Sequence, residues 1–252
     1  MESEQYYRND ELKIYRGKDF VVSKYIKIHQ CTLGEIEEYG EQAYYSLVYN
    51  LTATPQSLKA QLWQMEVDYT EITPWELFIG LLYKIHPQNQ TYILFGDLDF
   101  TKFEVKVDEE NKSIYLEQFI NDERVVIDEY TYGIIIDYLC KSHFIKQDLK
   151  VPMNNSTKMI LIEDAMDELV ANKNKEYHSN LKNLISTMVN SSGFKYNHTD
   201  VWDLKINAFM DSVKRIGKIK NAELLLQSGY SGFGISLKDI NKKELDWLGE
   251  LE

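Results

Sequence analysis

The chain has 252 residues, 44% of them hydrophobic and 27% charged, which fits a folded globular protein and excludes a disordered, collagen-like or low-complexity one. Its 28 Lys and Arg stand against 40 Asp and Glu, a formal net charge of −12, so a broad non-specific nucleic-acid surface is not expected. Two cysteines, Cys31 and Cys140, are too few for a disulfide framework and fit no paired zinc spacing, and are read as reduced thiols.

The start, MESEQYYRNDELKIYRG, is charged and lacks the apolar stretch of a secretory signal. Apolar runs such as Leu77–Tyr83 fall far short of the roughly 20 residues a spanning helix needs. No membrane partner and a cytoplasmic location are therefore expected. With 4 prolines and 12 glycines there is little linker material. Residues 1–126 hold 12 basic and 22 acidic side chains, a net of −10, and residues 127–252 hold 16 and 18, a net of −2. This asymmetry suggests two lobes.

In chain order, Leu12 and Ile14, then Phe20 and Val22, flank a turn signal at Gly17-Lys18 and read as an N-terminal β-hairpin, with Tyr25, Ile26 and Ile28 as a further strand. Thr32 with Glu35 three residues later is a capping-box pattern, with Leu33 and Ile36 on one helical face behind it. Helices are predicted at about 41–52, 55–66 and 74–85, because Pro55 and Pro74 stand where a first helical residue tolerates a missing N–H. In the last of these Trp75, Phe78, Ile79 and Leu82 form an apolar stripe. Between 101 and 118 the period changes: Phe103, Val105 and Val107 alternate with charged residues, a turn follows at 108–111, and Ile114 and Leu116 continue, predicting a second hairpin.

Helical periodicity returns at about 128–142 through Ile134, Ile135, Tyr138 and Leu139. The stretch 146–157, with Pro152, Asn154, Asn155 and Ser156, is the candidate lobe boundary or loop. Beyond it the chain reads as helical, with a break at 190–193, a capping candidate at Thr199, and the clearest stripe of all: Trp202, Ile206, Phe209, Val213 and Ile216. Gly229 is a candidate helix stop before the glycine-containing loop SGYSGFG, and Asn241 with Glu244 starts a last short helix carrying Leu245, Trp247 and Leu248. The expected fold is α+β and predominantly helical, with the two hairpins packed on helices in a lobe of residues 1–145 and a helical lobe of residues 156–252, or the two as one continuous domain.

A site needs particular groups within reach. His29, His86, His143, His178 and His198 are scattered, and none has a second ligand type at helical spacing. Asp97 and Asp99 in GDLDF would point the same way in an extended chain and could approach one hard cation. Glu163, Asp164, Asp167 and Glu168 form an acidic helical side, read either as paired carboxylates or as a solvated face, the latter the simpler account. No glycine-rich phosphate loop opens a helix; Gly229, Gly232 and Gly234 lack the following Lys. Lys205–Lys220 carries a local net of +4, with Lys214, Arg215 and Lys218 opposite the apolar stripe as an ordinary solvent face would be, so nucleic acid is not expected as a partner. The 18 tyrosines suit either a core or a protein-binding surface. The terminal KKELDWLGELE crowds Leu245, Trp247, Leu248 and Leu251 together, and is read as either a core latch or a partner-binding segment.

Four segments, KIHQCTLGEIEEYGEQAYYSLVYNLTATPQSLKAQLW (27–63), ILFGDLDFTKFEV (93–105), NSSGFKYNHTDVWDLKINAFMDSVKRIGKIKNAELLLQSGYSGF (190–233) and KKELDWLGEL (242–251), resemble in order and spacing a family encoded by tailed bacteriophages and prophages of Firmicutes. The resemblance runs over most of the chain. Genes of that family tend to lie in the tail-morphogenesis module, near those for the tail tube and tape-measure protein, and no catalytic residues are attached to it. The resemblance implies a protein without enzymatic activity or cofactor, working in the cytoplasm of an infected bacterium. Its first expectation is a tail assembly chaperone on the tape-measure protein, with tail tube as another partner and self-association left open. A structural subunit of the virion is the second, and a metal-dependent enzyme using Asp97, Asp99 or the acidic helix is the third, from a different class.

Overall fold

The computed structural model describes residues 11–110, 112–231, 234 and 240–251. Its elements in order are α1 (Glu11–Tyr15), β1 (Phe20–Val21), β2 (Lys27–Ile28), α2 (Leu33–Tyr39), α3 (Glu41–Leu51), α4 (Lys59–Gln64), α5 (Pro74–Leu77), α6 (Gln88–Phe95), β3 (Glu104–Val107), β4 (Ile114–Ile120), β5 (Glu123–Ile127), α7 (Glu129–His143), α8 (Asn155–Asn172), α9 (Asn180–Val189), α10 (Ile206–Tyr230) and α11 (Lys242–Leu245). The fold is α+β and predominantly helical, with two small antiparallel sheets packed on helices.

The N-terminal hairpin forms one segment later than the alternation predicts. Leu12 and Ile14 lie on the helical turn α1, where Ile14 is buried and Leu12 exposed. Gly17, at φ 75, ends that turn by donating its N–H to Ile14 O at 2.9 Å, so the glycine read as a hairpin turn is a helix stop. A β-carbon at this glycine would come within 2.4 Å of the Lys205 side chain. The hairpin itself pairs Phe20 with Ile28 and Val21 with Lys27.

The predicted capping box forms, and the structure adds a second. Thr32 Oγ1 accepts from Glu35 N at 3.1 Å while Thr32 N donates to Glu35 Oε2 at 2.6 Å, and Thr73 with Glu76 repeats the arrangement ahead of Pro74 at the first position of α5. From there the helix continues as a π turn over Phe78–Leu82 and a 3₁₀ turn over Tyr83–Ile85, burying Trp75, Phe78 and Leu82 as the stripe predicts. Pro55, by contrast, sits in a turn closed by Thr54 and Ser57, and α4 starts only at Lys59.

The mid-chain hairpin pairs Val105 with Leu116 and Val107 with Ile114, and a third strand, β5, extends it. The link between β4 and β5 is Asn121-Asp122, both with positive φ (51 and 62), the backbone of a tight two-residue hairpin turn. Leu116 and Ile127 on one face are fully buried.

The C-terminal half is built into this body. Leu33 N donates to Leu204 O and Ile206 N to Cys31 O, both at 2.9 Å, and Thr32 bridges Lys205. Ile162, Leu181, Ile185, Val201, Ile206 and Phe209 belong to the same connected apolar core as Ile14, Tyr44 and Leu139. The stretch 146–154 is irregular but tied down, with Gln147 Nε2 donating to Thr52 O and Thr54 Oγ1 to Asp148 O, each at 2.8 Å. Lys158 on α8 pairs with Asp68 and, with Thr70, holds that carboxyl down to about 2.

Candidate partner-binding surface

The stripe on α10 divides the helix into working faces. Ile206 and Phe209 are buried and Val213 and Ile216 half-buried against the core. Trp202 stands on a 3₁₀ turn over Asp200–Asp203, and Thr199 makes no capping bond. The helix starts at Ile206 behind Lys205, runs past Gly229 to Tyr230, and is capped by Ser231. Gly232 and Phe233 of SGYSGFG lie outside the described residues.

The basic residues on the opposite side of α10 are not an idle solvent face. Arg215 Nη1 donates to Trp247 O at 2.6 Å and to Gly249 O at 2.8 Å, and Lys218 Nζ donates to Glu250 O at 2.9 Å. Lys214 lies over the Phe144 ring, 4.5 Å from its centroid. Two cations thus clasp three carbonyls of the C-terminal segment, using charge-assisted hydrogen bonds. Asn241 Oδ1 caps α11 by accepting from Lys243 N at 3.0 Å, and the chain leaves the helix after Leu245.

The clasp holds backbone and leaves two of the four apolar side chains in solvent. Leu245 and Leu251 are half-buried, while Trp247 is 46% and Leu248 75% exposed. Large apolar side chains held in water on a fixed backbone are a feature of contact surfaces, because the ordering cost of the segment is already met before a partner arrives. Replacing Arg215 by alanine is expected to accelerate proteolysis within residues 241–251 about tenfold while shifting global stability by less than about 1 kcal/mol. Unchanged cleavage would mean that other contacts fix the segment.

The other candidates are dispersed. Asp99 Oδ1 accepts from Thr101 N at 3.0 Å and Thr101 Oγ1 at 2.6 Å, with Lys102 at 3.6 Å, and these partners hold its carboxyl below the usual range; Asp97 is exposed. Glu163, Asp164, Asp167 and Glu168 are all exposed on α8. Among the described residues no group of three or more His, Cys, Asp and Glu is arranged to hold a metal ion. Burial pushes the Cys31 thiol up to about 12 and that of Cys140 up to about 11, so both stay protonated at neutral pH. His143 is half-buried, bonded to Tyr44 Oη at 2.6 Å and Leu139 O at 2.9 Å. His86 is buried, His178 exposed, and His198 sets its edge toward Trp202. His29 joins Asp19 at 2.7 Å and Glu35 at 3.1 Å.

Two concavities were not visible in the sequence. One, of about 610 Å³, lies between the starts of α5 and α7 and the β3–β4 end of the sheet, with Trp75, Ile79, Ile114 and Tyr130 as apolar lining and Glu76, Asp128 and Glu129 around them. The other, of about 450 Å³, lies between α2 and α9, lined by Leu33, Ile185, Val189 and Trp202 with Glu37, Glu41 and Lys182. Each draws on elements distant in sequence, so no local motif announces it. Among the described residues no helix is long and apolar enough to cross a membrane.

Comparison with curated proteins and with solved structures gave no match. Residues 172–252, from the end of α8 through α9, α10 and the clasped segment, match the family described as YomV second domain. The match covers less than half of the chain and, being to a Bacillus phage and prophage type of protein, suggests a phage-derived protein.

Proposed function

We propose that this phage-derived chain is a non-enzymatic protein of tail morphogenesis, acting as an assembly chaperone that covers apolar helical surface of the tape-measure protein until tube subunits polymerise around it. The observation that carries the reading is the C-terminal segment, whose backbone is clasped by Arg215 and Lys218 while Trp247 and Leu248 stand in solvent. Tryptophan supplies large contact area at low entropic cost and dominates the energetics of many protein interfaces. An amphipathic helix offered by the partner presents its apolar side chains at helical spacing, and the Trp247–Leu248 pair meets such a row directly.

Deleting residues 241–252 is expected to leave the melting temperature nearly unchanged while abolishing co-purification of the tape-measure protein from phage-infected cells. A large fall in melting temperature would instead make the segment a core latch. Mass spectrometry of purified particles checks the chaperone role, since a chaperone is absent from mature virions; recovery at stoichiometric levels would make the protein a virion subunit.

A further inference from the structure

The outer edge of β3 is open, and the direction of its backbone follows from the ladder. Asp108 N donates to Ser113 O at 2.9 Å, so with Val107 opposite Ile114 the residues that bond toward β4 are Glu104, Lys106 and Asp108, and those whose N–H and C=O face outward are Val105 and Val107. Among the described residues no hydrogen bond meets these outward groups. The side chains of both valines lie on the face that contains Leu116 and Ile127, which are fully buried, yet they are 45% and 55% exposed. The core face of the sheet therefore runs on past its last strand, uncovered.

We propose that this edge pairs with the same edge of a second copy of the chain, antiparallel and centred on Val105. The charge pattern selects both partner and register. With Val105 opposite its own counterpart, Glu104 of each copy stands opposite Lys106 of the other, twice over by the two-fold symmetry. Shifting the centre to residue 106 sets Lys106 against Lys106 and Glu104 against Asp108, and shifting it to Val107 sets Lys106 against Asp108 but also Glu104 against Glu110, so that only the Val105 register gains attraction without repulsion. An edge lysine ordinarily deters strand pairing because it meets another cation or an apolar side chain; here the glutamate two residues before it, already 2.7 Å away in the isolated strand, supplies the complement.

In that register the two Val105 residues exchange N–H and C=O bonds. The Val107 N–H of each copy reaches the Phe103 carbonyl of the other, while Phe103 N–H stays with Phe100 O at 3.2 Å. The three-stranded sheet becomes a continuous six-stranded one, and the exposed valine faces cover each other along the seam.

Sedimentation velocity of the full chain across micromolar concentrations tests this. The wild type is expected to be a concentration-dependent dimer. Lys106→Glu places Glu104 opposite a glutamate in both copies and weakens dimerisation about tenfold, and the double exchange Glu104→Lys with Lys106→Glu restores it to within about twofold. Val105→Pro removes an N–H that the β3–β4 ladder does not use, and is expected to abolish the dimer with circular dichroism unchanged. A wild type that stays monomeric overturns the proposal, as does a dimer indifferent to Lys106→Glu or a double exchange that fails to restore it. The two charge variants decide the matter if the proline variant does not fold.

Discussion

Phe209→Ala is expected to destabilise the chain by about 3–5 kcal/mol, the largest single loss among side chains of the C-terminal half. Phe209 has no exposed surface and packs its ring edge-on near Phe194, 6.3 Å between centroids, from the first turns of α10. Just before it the backbone is bonded to the N-terminal half through Leu204 O and Ile206 N, and Asn207 Nδ2 donates to the carbonyls of Lys141 and Ser142, each at 3.3 Å. The surroundings are therefore fixed from both sides and cannot collapse into the space a phenyl ring leaves. Urea denaturation of the purified variant checks this, and a loss below about 1 kcal/mol would mean that α10 rests on the body without sharing its core.

The second large effect is a dependence on pH centred on His143. The residue is half-buried; Nδ1 donates to Leu139 O at 2.9 Å, which leaves Nε2 to accept from Tyr44 Oη at 2.6 Å. That arrangement suits the neutral ring. Desolvation, opposed in part by the Leu139 carbonyl, pushes its pKa from 6.5 down to about 4. The contribution is complete above pH 6.5 and is lost as the pH falls from 6.5 through 4, because the unfolded chain takes up the proton first. The loss approaches about 3 kcal/mol at pH 4.

His86, also lowered by burial, titrates in the same direction, and the lowered carboxyls of Asp68 and Asp99 add their own losses at more acid pH. The difference between the stability profiles of wild type and His143→Gln isolates the one ring. That difference is expected to shrink by about 3 kcal/mol between pH 7 and 4, and a constant offset would mean that His143 is hydrated and charges freely in the native state.

What could be read along the chain is what local chemistry controls. Thr32–Glu35 is built from residues three apart and Pro74 fits a first helical position, so these two helix starts follow from neighbours alone. Ile206, Phe209, Val213 and Ile216 mark one side of α10 for the same reason. The hairpin at β3–β4 was legible in its alternation, and Leu245, Trp247, Leu248 and Leu251 stood out by their crowding at one place.

Other features needed the packed chain. α1 ends at Gly17 where the chain passes close to Lys205, a residue far along the sequence; the alternating pattern around Leu12 and Ile14 cannot record that contact. α6 has no capping side chain and opens behind Pro87, and β5 is recruited by a turn whose Asn121-Asp122 signal is strong only once the strand before it is known. The basic side of α10 read as solvent-facing because Arg215 and Lys218 find their partners in carbonyls more than thirty residues away, and a carbonyl leaves no trace in composition. Sequence by itself determined the helix starts at Thr32 and Pro74, the apolar stripes and the terminal cluster, since these depend on short-range spacing. Tertiary structure decided which charges became clasps, which valines were left at an open edge and which histidine was drawn in between Tyr44 and Leu139, since burial and reach are properties of the assembled fold.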